Sequence, residues 1–137
     1  AYVKDLNAEV IDLPDGLYEH NKKLYLDYVD YHKRLITDLN EKMAKIDKDQ
    51  LIYLFGAHVF SQYLIEFGLD INRIICLLDN DVAKHGKRLY GTNMTVESPR
   101  ILADVKNPIV ILKAGVYSQE VSDDILCNIN PDTVFWE

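Results

Sequence analysis

Gly56 and Asp79 are the residues whose types and spacing point to the most specific chemistry in this chain. Gly56 closes one apolar run, Leu51-Ile52-Tyr53-Leu54-Phe55, and Asp79 closes another, Ile74-Ile75-Cys76-Leu77-Leu78, 23 positions further on. Strand, glycine turn, helix, strand and acid, in that order, form the opening half of a nucleotide-holding unit. The turn brings a helix N-terminus towards a phosphate, and the acid accepts hydrogen bonds from a ribose. The run Gly56-Ala57-His58-Val59-Phe60-Ser61 keeps only the first glycine of G-x-G-x-x-G, and His58 stands where the second lets backbone approach a pyrophosphate. An NAD or FAD site of the usual form is therefore disfavoured, although His58 can donate a hydrogen bond to a phosphate displaced outward. Asp79, at the end of a central strand, can take a ribose diol or sugar hydroxyls, and Asn80 and Asp81 extend that polar end. Lys84, with Lys87 and Arg88, brings positive charge beside these acids, which suits a diphosphate and equally suits solvation. Tyr117 at the mouth after the fourth strand completes a candidate substrate-binding set of Gly56, Ala57, His58, Asp79, Asn80, Lys84 and Tyr117. The plainer alternative makes the glycine turn a shaper of the fold, His58 a surface residue and Asp79-Asn80-Asp81 a local loop cap.

Other chemistries find little support. No G-x-S-x-G elbow is present, and His20, His32, His58 and His85 lack zinc-like spacing, so neither a catalytic triad nor a metal centre is expected. His58 and His85 fall in loops at the same strand edge, where they could meet over a ligand. Glu19-His20 resembles an acid-base pair but opens an amphipathic helix, where solvation is the simpler role. Cys76 in a strand and Cys127 in a helical stretch match neither a metal pattern nor a disulfide framework, which makes a reducing, cytoplasmic setting the default. A net charge of −7 and a pI near 5.0 work against nucleic acid and anionic membrane as partners, because both need clustered Lys and Arg. No apolar run is long enough to span a bilayer.

These groups must be positioned by elements that the apolar periodicity outlines. Residues 1–16 form an irregular arm ending in Pro14-Asp15-Gly16. A long helix over 17–46 follows, with Leu24, Tyr28, Tyr31, Leu35, Leu39 and Met43 along one stripe. About 30 residues at 1.5 Å each make a helix of about 45 Å, longer than a domain of this size covers, so its end should pack on another domain or on a second copy in a homodimer. The next helix, His58 to Phe67, should bury Val59, Tyr63, Leu64 and Phe67 and stop at Gly68. Strands follow at Ile74–Leu78, Met94–Val96, Ile109–Leu112 and Thr133–Trp136. Helix starts are expected at Ser98-Pro99 and at Ser118, the latter running to Asn128. With 137 residues and 48% apolar content, one domain over 17–137 is expected. Its class is α/β: a Rossmann-like parallel sheet flanked by helices and preceded by the long N-terminal helix.

The order Gly56-Ala57, Asp79-Asn80-Asp81, Lys84-x-Gly86-Lys87, Gly91-Thr92, Val96-x-Ser98-Pro99 and Tyr117-x-x-Glu120-Val121 resembles the C-terminal domain of S-adenosylmethionine-dependent sugar C-methyltransferases. The likeness runs from about Leu51 to Phe135. It implies a Rossmann-like domain that holds a nucleotide-linked sugar, with Gly56, Ala57 and His58 near phosphate and Asp79 near ribose or sugar. It also implies no cofactor in this domain: S-adenosylmethionine and the catalytic residues would belong to a preceding methyltransferase domain, and the isolated piece would be inactive. The start at Ala1 fits an excised piece. The chain departs from the family at Ala114-Gly115, where a Trp-Asn pair is common, and carries one extra residue before Glu120. A weaker likeness is to the nucleotide-sugar-binding N-terminal domains of bacterial sugar acyltransferases and dehydratases. Two further classes stay open: an NAD- or nucleotide-binding regulatory module of another enzyme, and a structural or dimerisation domain acting through Tyr28, Tyr31 and Leu35.

Overall fold

The computed structural model describes residues 14–137. Its elements are α1 (Leu17–Lys45), β1 (Ile52–Phe55), α2 (Val59–Glu66), β2 (Ile74–Leu78), β3 (Val96–Glu97), β4 (Ile109–Leu112), α3 (Ser118–Asn128) and β5 (Val134–Trp136). Single 3₁₀ turns lie at Ile71–Arg73, Val82–Lys84, Pro99–Leu102 and Gly115–Tyr117. The described chain divides into two units, one ending at Tyr31 and one running from His32 to Glu137.

The first unit holds the turn at Pro14-Asp15-Gly16 and the opening of α1. The Leu17 N–H reaches the Pro14 carbonyl at 3.4 Å and the His20 N–H the Gly16 carbonyl at 3.0 Å. Glu19 and His20 are exposed, as are Tyr18, Leu24 and Tyr25, and Lys23 pairs with Asp27 one turn on at 2.6 Å. The rest of the expected arm, residues 1–13, lies outside the described residues.

In the second unit every strand pairing is parallel, in the order β3-β2-β1-β4-β5. Parallel strands need crossovers on the sheet faces, which is why β1 and β4 are apolar at every position and buried throughout. Alternation divides the core in two. Ile52, Leu54, Leu77, Ile109 and Ile111 join Ile36, Leu39 and Met43 of α1 and Leu64 of α2 on one face. Tyr53, Phe55, Cys76, Leu78, Val110 and Leu112 join Leu102 and the Val121 and Ile125 of α3 on the other. Asn40 of α1 clamps the link from α2 to β2: its Nδ2 donates to the Gly68 carbonyl and its Oδ1 accepts the Asp70 N–H, both at 2.9 Å. This is the expected Rossmann-like α/β architecture with its long preceding helix.

Local differences have local causes. The buried stripe of α1 is His32, Ile36, Leu39 and Met43, whereas Leu24, Tyr28 and Tyr31 are exposed. On α2 only Ser61 and Leu64 are buried. Val59, Tyr63 and Phe67 are exposed, because the helix is two turns long and turns a single narrow edge to the sheet. Ile75 is 57% exposed within β2, where the register to β1 slips by one residue between the Ile52–Ile74 and Leu54–Leu77 pairs and turns Ile75 out of the core. The expected third strand begins later, at Val96, since Thr95 bridges antiparallel to Arg88. Ser98 caps as expected, accepting the Arg100 N–H, but it opens a 3₁₀ turn. The Ser118 hydroxyl does not cap α3; it accepts the Ala114 N–H at 3.3 Å.

Candidate functional site

In a sheet of this order the connections leaving β1 and β4 diverge to opposite faces, and the crevice between them lies at the strands' carboxyl ends. The segments after β1, β2 and β4 all start at that edge. Gly56 continues the β1–β2 pairing through its N–H to the Leu78 carbonyl at 2.7 Å, then turns at φ +100°, a conformation that a side chain disfavours. Its carbonyl accepts the His58 N–H and the buried Ser61 hydroxyl, which folds the chain directly into α2.

His58 is the N-cap of α2. Its backbone is extended, and its Nδ1 accepts the Phe60 N–H at 3.2 Å, so in the neutral ring the proton sits on Nε2. The ring folds back over the turn: a Cβ at Gly56 would lie 2.2 Å from Nε2. It also meets the Phe60 ring edge-on at 5.6 Å. Burial pushes the His58 pKa down, the Asp79 carboxylate pulls it up and the Lys84 ammonium pushes it down, leaving it below the ordinary 6.5.

Asp79 is 7% exposed and both oxygens of its carboxylate are engaged. Oδ2 accepts the Ala57 N–H at 2.8 Å and the Lys84 ammonium at 2.8 Å, while Oδ1 accepts the Asp81 N–H at 2.9 Å. Burial raises the carboxyl's pKa, but the hydrogen bonds from Lys84, Asp81 and Ala57 together with the charge of Lys84 outweigh it and hold it below the usual value. His85 Nε2 stands 2.7 Å from the Asp79 carbonyl, where it donates. The acid therefore latches the end of β2 to the glycine turn.

Two cavities open beside this latch. One, of about 300 Å³, has Ala57, His58, Gln62, Lys84, Lys87 and Arg88 in its wall and Tyr90 at its lip. The other, of about 550 Å³, lies along α3 and is lined by Asn80, Tyr117, Glu120, Asp123 and Asp124. The seven candidate residues are thus sorted. Ala57, His58 and Lys84 share the cationic cavity, Asn80 and Tyr117 share the acidic one, and Gly56 and Asp79 line neither. His58 and His85 do not meet over a common space, since His85 faces a third cavity with Asn80 and Arg100. Gln62 and Tyr90 carry no signal in the local sequence pattern: they come together only because the Gln62 amide donates to the Tyr90 carbonyl at 3.1 Å across 28 residues. Among the described residues no group of three His, Cys, Asp or Glu could hold a metal ion, and no helix is long and apolar enough to cross a membrane.

Comparison with protein-family models, curated proteins and solved structures finds no match to this chain.

Proposed function

We propose that this chain holds a nucleotide-linked sugar for a partner domain that transfers a methyl group to it, in the manner of the C-terminal domains of S-adenosylmethionine-dependent sugar C-methyltransferases. The observation that supports this most is the pair of unlike cavities at the carboxyl edge of a 3-2-1-4-5 parallel sheet. One wall offers Lys84, Lys87 and Arg88 and fits an anionic group. The other offers Asn80, Tyr117 and carboxylates, which are hydrogen-bonding partners for hydroxyls. A nucleotide-linked sugar carries both an anionic and a hydroxyl-rich part. In this reading the chain binds and orients, and S-adenosylmethionine with the reacting groups belongs to the methyltransferase partner. NAD fits less well, because His58 lies over the glycine turn and both oxygens of the buried Asp79 carboxylate already accept hydrogen bonds from within the fold.

A thermal-shift panel tests the reading with dTDP- and UDP-linked sugars, free nucleotides, NAD(H) and S-adenosylmethionine. A ligand at 100 times its dissociation constant adds about 2.7 kcal/mol, which raises the melting point of a domain this size by several degrees. The expected result is a rise with the nucleotide-sugars and none with NAD(H) or S-adenosylmethionine. A rise with NAD(H) alone would replace this reading with a dinucleotide module. No rise with any ligand would leave a structural or dimerisation domain.

A further inference from the structure

We infer that the diphosphate of the ligand is gripped by the side chains of Lys87 and Arg88 with the His58 Nε2–H, and not by the amides of the glycine turn. The inference rests on the nucleotide-sugar reading and adds to it where the charge is held. A phosphate seat at a glycine turn needs free N–H groups at the start of the helix and an open approach to them. Here the Ala57 N–H is taken by Asp79 and the Phe60 N–H by His58 Nδ1. The approach is roofed by the His58 ring, whose Nε2 lies 2.2 Å from where a Cβ on Gly56 would be. The same ring leaves one donor, Nε2–H, unused by these contacts, and His58 is among the residues that line the 300 Å³ cavity.

The cations that line the same cavity are held on a hydrogen-bonded support. Residues 86–89 pair with 94–96: the Gly86 N–H reaches the Val96 carbonyl at 2.8 Å, the Val96 N–H the Lys87 carbonyl at 2.8 Å and the Leu89 N–H the Met94 carbonyl at 3.0 Å. Leu89, Met94 and Val96 anchor that pairing in the core. Gln62 ties its far end to α2. Lys84 is paired with Asp79, but Lys87 has no carboxylate partner among the described residues, and Arg88 is held only by the neutral Asn93 side chain at 3.3 Å. Among the described residues no Asp or Glu lines the cavity, in a chain with 22 acidic and 15 basic side chains. Two cations without a carboxylate partner, carried on hydrogen-bonded backbone and lining one cavity with His58 and, among the described residues, no acid, form a receptor for a compact polyanion.

Isothermal titration of the full chain at low salt tests this with two probes, inorganic pyrophosphate and a nucleotide-sugar such as dTDP-glucose or UDP-glucose. Lys87→Ala and Arg88→Ala should each weaken both probes about tenfold, the loss of one charge-assisted hydrogen bond. Lys106→Ala, ahead of β4 and away from the cavity, should change nothing. His58→Gly separates the two seats by sign, since glycine is a good N-cap residue and spares the fold. It weakens binding if Nε2–H grips the phosphate and tightens it if the ring merely hid the turn amides. Nucleotide-sugar binding that is untouched by Lys87→Ala and Arg88→Ala, or improved by His58→Gly, overturns the clamp while the nucleotide-sugar reading survives. Pyrophosphate binding that depends on Lys87 and Arg88, without binding of either nucleotide-sugar, keeps the clamp and overturns that reading. Absence of binding by both probes overturns both.

Discussion

Asp79→Ala removes an acceptor that three donors share, and its cost can be worked from those contacts. The Ala57 and Asp81 N–H groups, at 2.8 and 2.9 Å from the carboxylate, lose their partners. A stranded donor costs about 1–3 kcal/mol when buried, and the lower half of that range applies here, because Ala57 is half-buried and Asp81 exposed, so water can reach both. The Lys84 side chain is 37% exposed and returns to solvent, so the ion pair adds little. The sum is about 2–4 kcal/mol, a substantial share of the roughly 5–15 kcal/mol that stabilises an ordinary domain. Urea unfolding at pH 7 followed by circular dichroism measures it as a fall in midpoint at constant slope. The pH dependence gives an independent check. The folded carboxyl titrates below its ordinary value of 3.8 because the hydrogen bonds from Lys84, Asp81 and Ala57 outweigh the opposing effect of burial. Ionised Asp79 therefore favours the fold everywhere above 3.8, and that contribution is lost as pH falls through the lower folded value, so wild type and variant should converge there. A loss below about 0.5 kcal/mol at pH 7, the level of an ordinary surface substitution, would refute the latch, and so would a gap that fails to narrow in acid. The latch also changes what Asp79→Ala says about ligands: lost binding by this variant reports a disturbed turn and not a missing contact.

Gly56→Ala should destabilise twice over. The positive φ costs about 1–2 kcal/mol, and displacing the His58 ring from the Phe60 N–H costs about 1 kcal/mol more. Only the backbone part survives in a His58→Ala background, so a double-mutant cycle by urea unfolding should return a coupling of about 1 kcal/mol, and additive effects would show that the ring does not lie over the turn. The two cysteines should react unequally with a thiol-disulfide reagent at pH 8. Cys127 is exposed and should react in the native protein, whereas Cys76 is buried in β2, its thiol pushed up to about 11 by burial and then by the Glu97 charge, and should stay silent until urea is added. Equal reactivity in the native state would mean that the strand opens.

The fold was legible where burial is two-sided. Ile74–Leu78 and Ile109–Leu112 read as strands because a central parallel strand is apolar at every position, and those bounds are the observed ones. Gly68 marked the end of α2 because it takes φ +105°, which a glycine adopts at little cost. Prediction faltered at half-exposed elements. The 3-4 spacing of α1 is shared by Leu35 and Ile36, and sequence alone cannot say which of two neighbouring stripes meets the sheet; the structure buries Ile36 and leaves Leu35 partly covered. Likewise Ile75 is apolar and in line with its neighbours, yet a one-residue slip in register turns it out.

The candidate site was less legible than the fold, and the reason is physical. Gly56, Ala57, His58 and Asp79 were found by their spacing, because a turn between parallel strands constrains which residues can stand there. Spacing cannot show what those residues bond to. Asp79 reaches back 22 residues to the Ala57 N–H, and His58 reaches forward two to the Phe60 N–H, so both spend on the fold the groups that a ligand would have used. A degenerate glycine motif can in this way keep its shaping role while its donors are withdrawn from the solvent side. The charge needed for an anion must then come from side chains outside the motif. Lys87 and Arg88 lie on a pairing between 86–89 and 94–96 that is local in sequence, but its position against α2 depends on the Gln62–Tyr90 bond over 28 residues. In the sequence those cations are indistinguishable from a solvated loop. What singles them out is the cavity they share with His58, whose ring keeps one N–H outside the cap of α2.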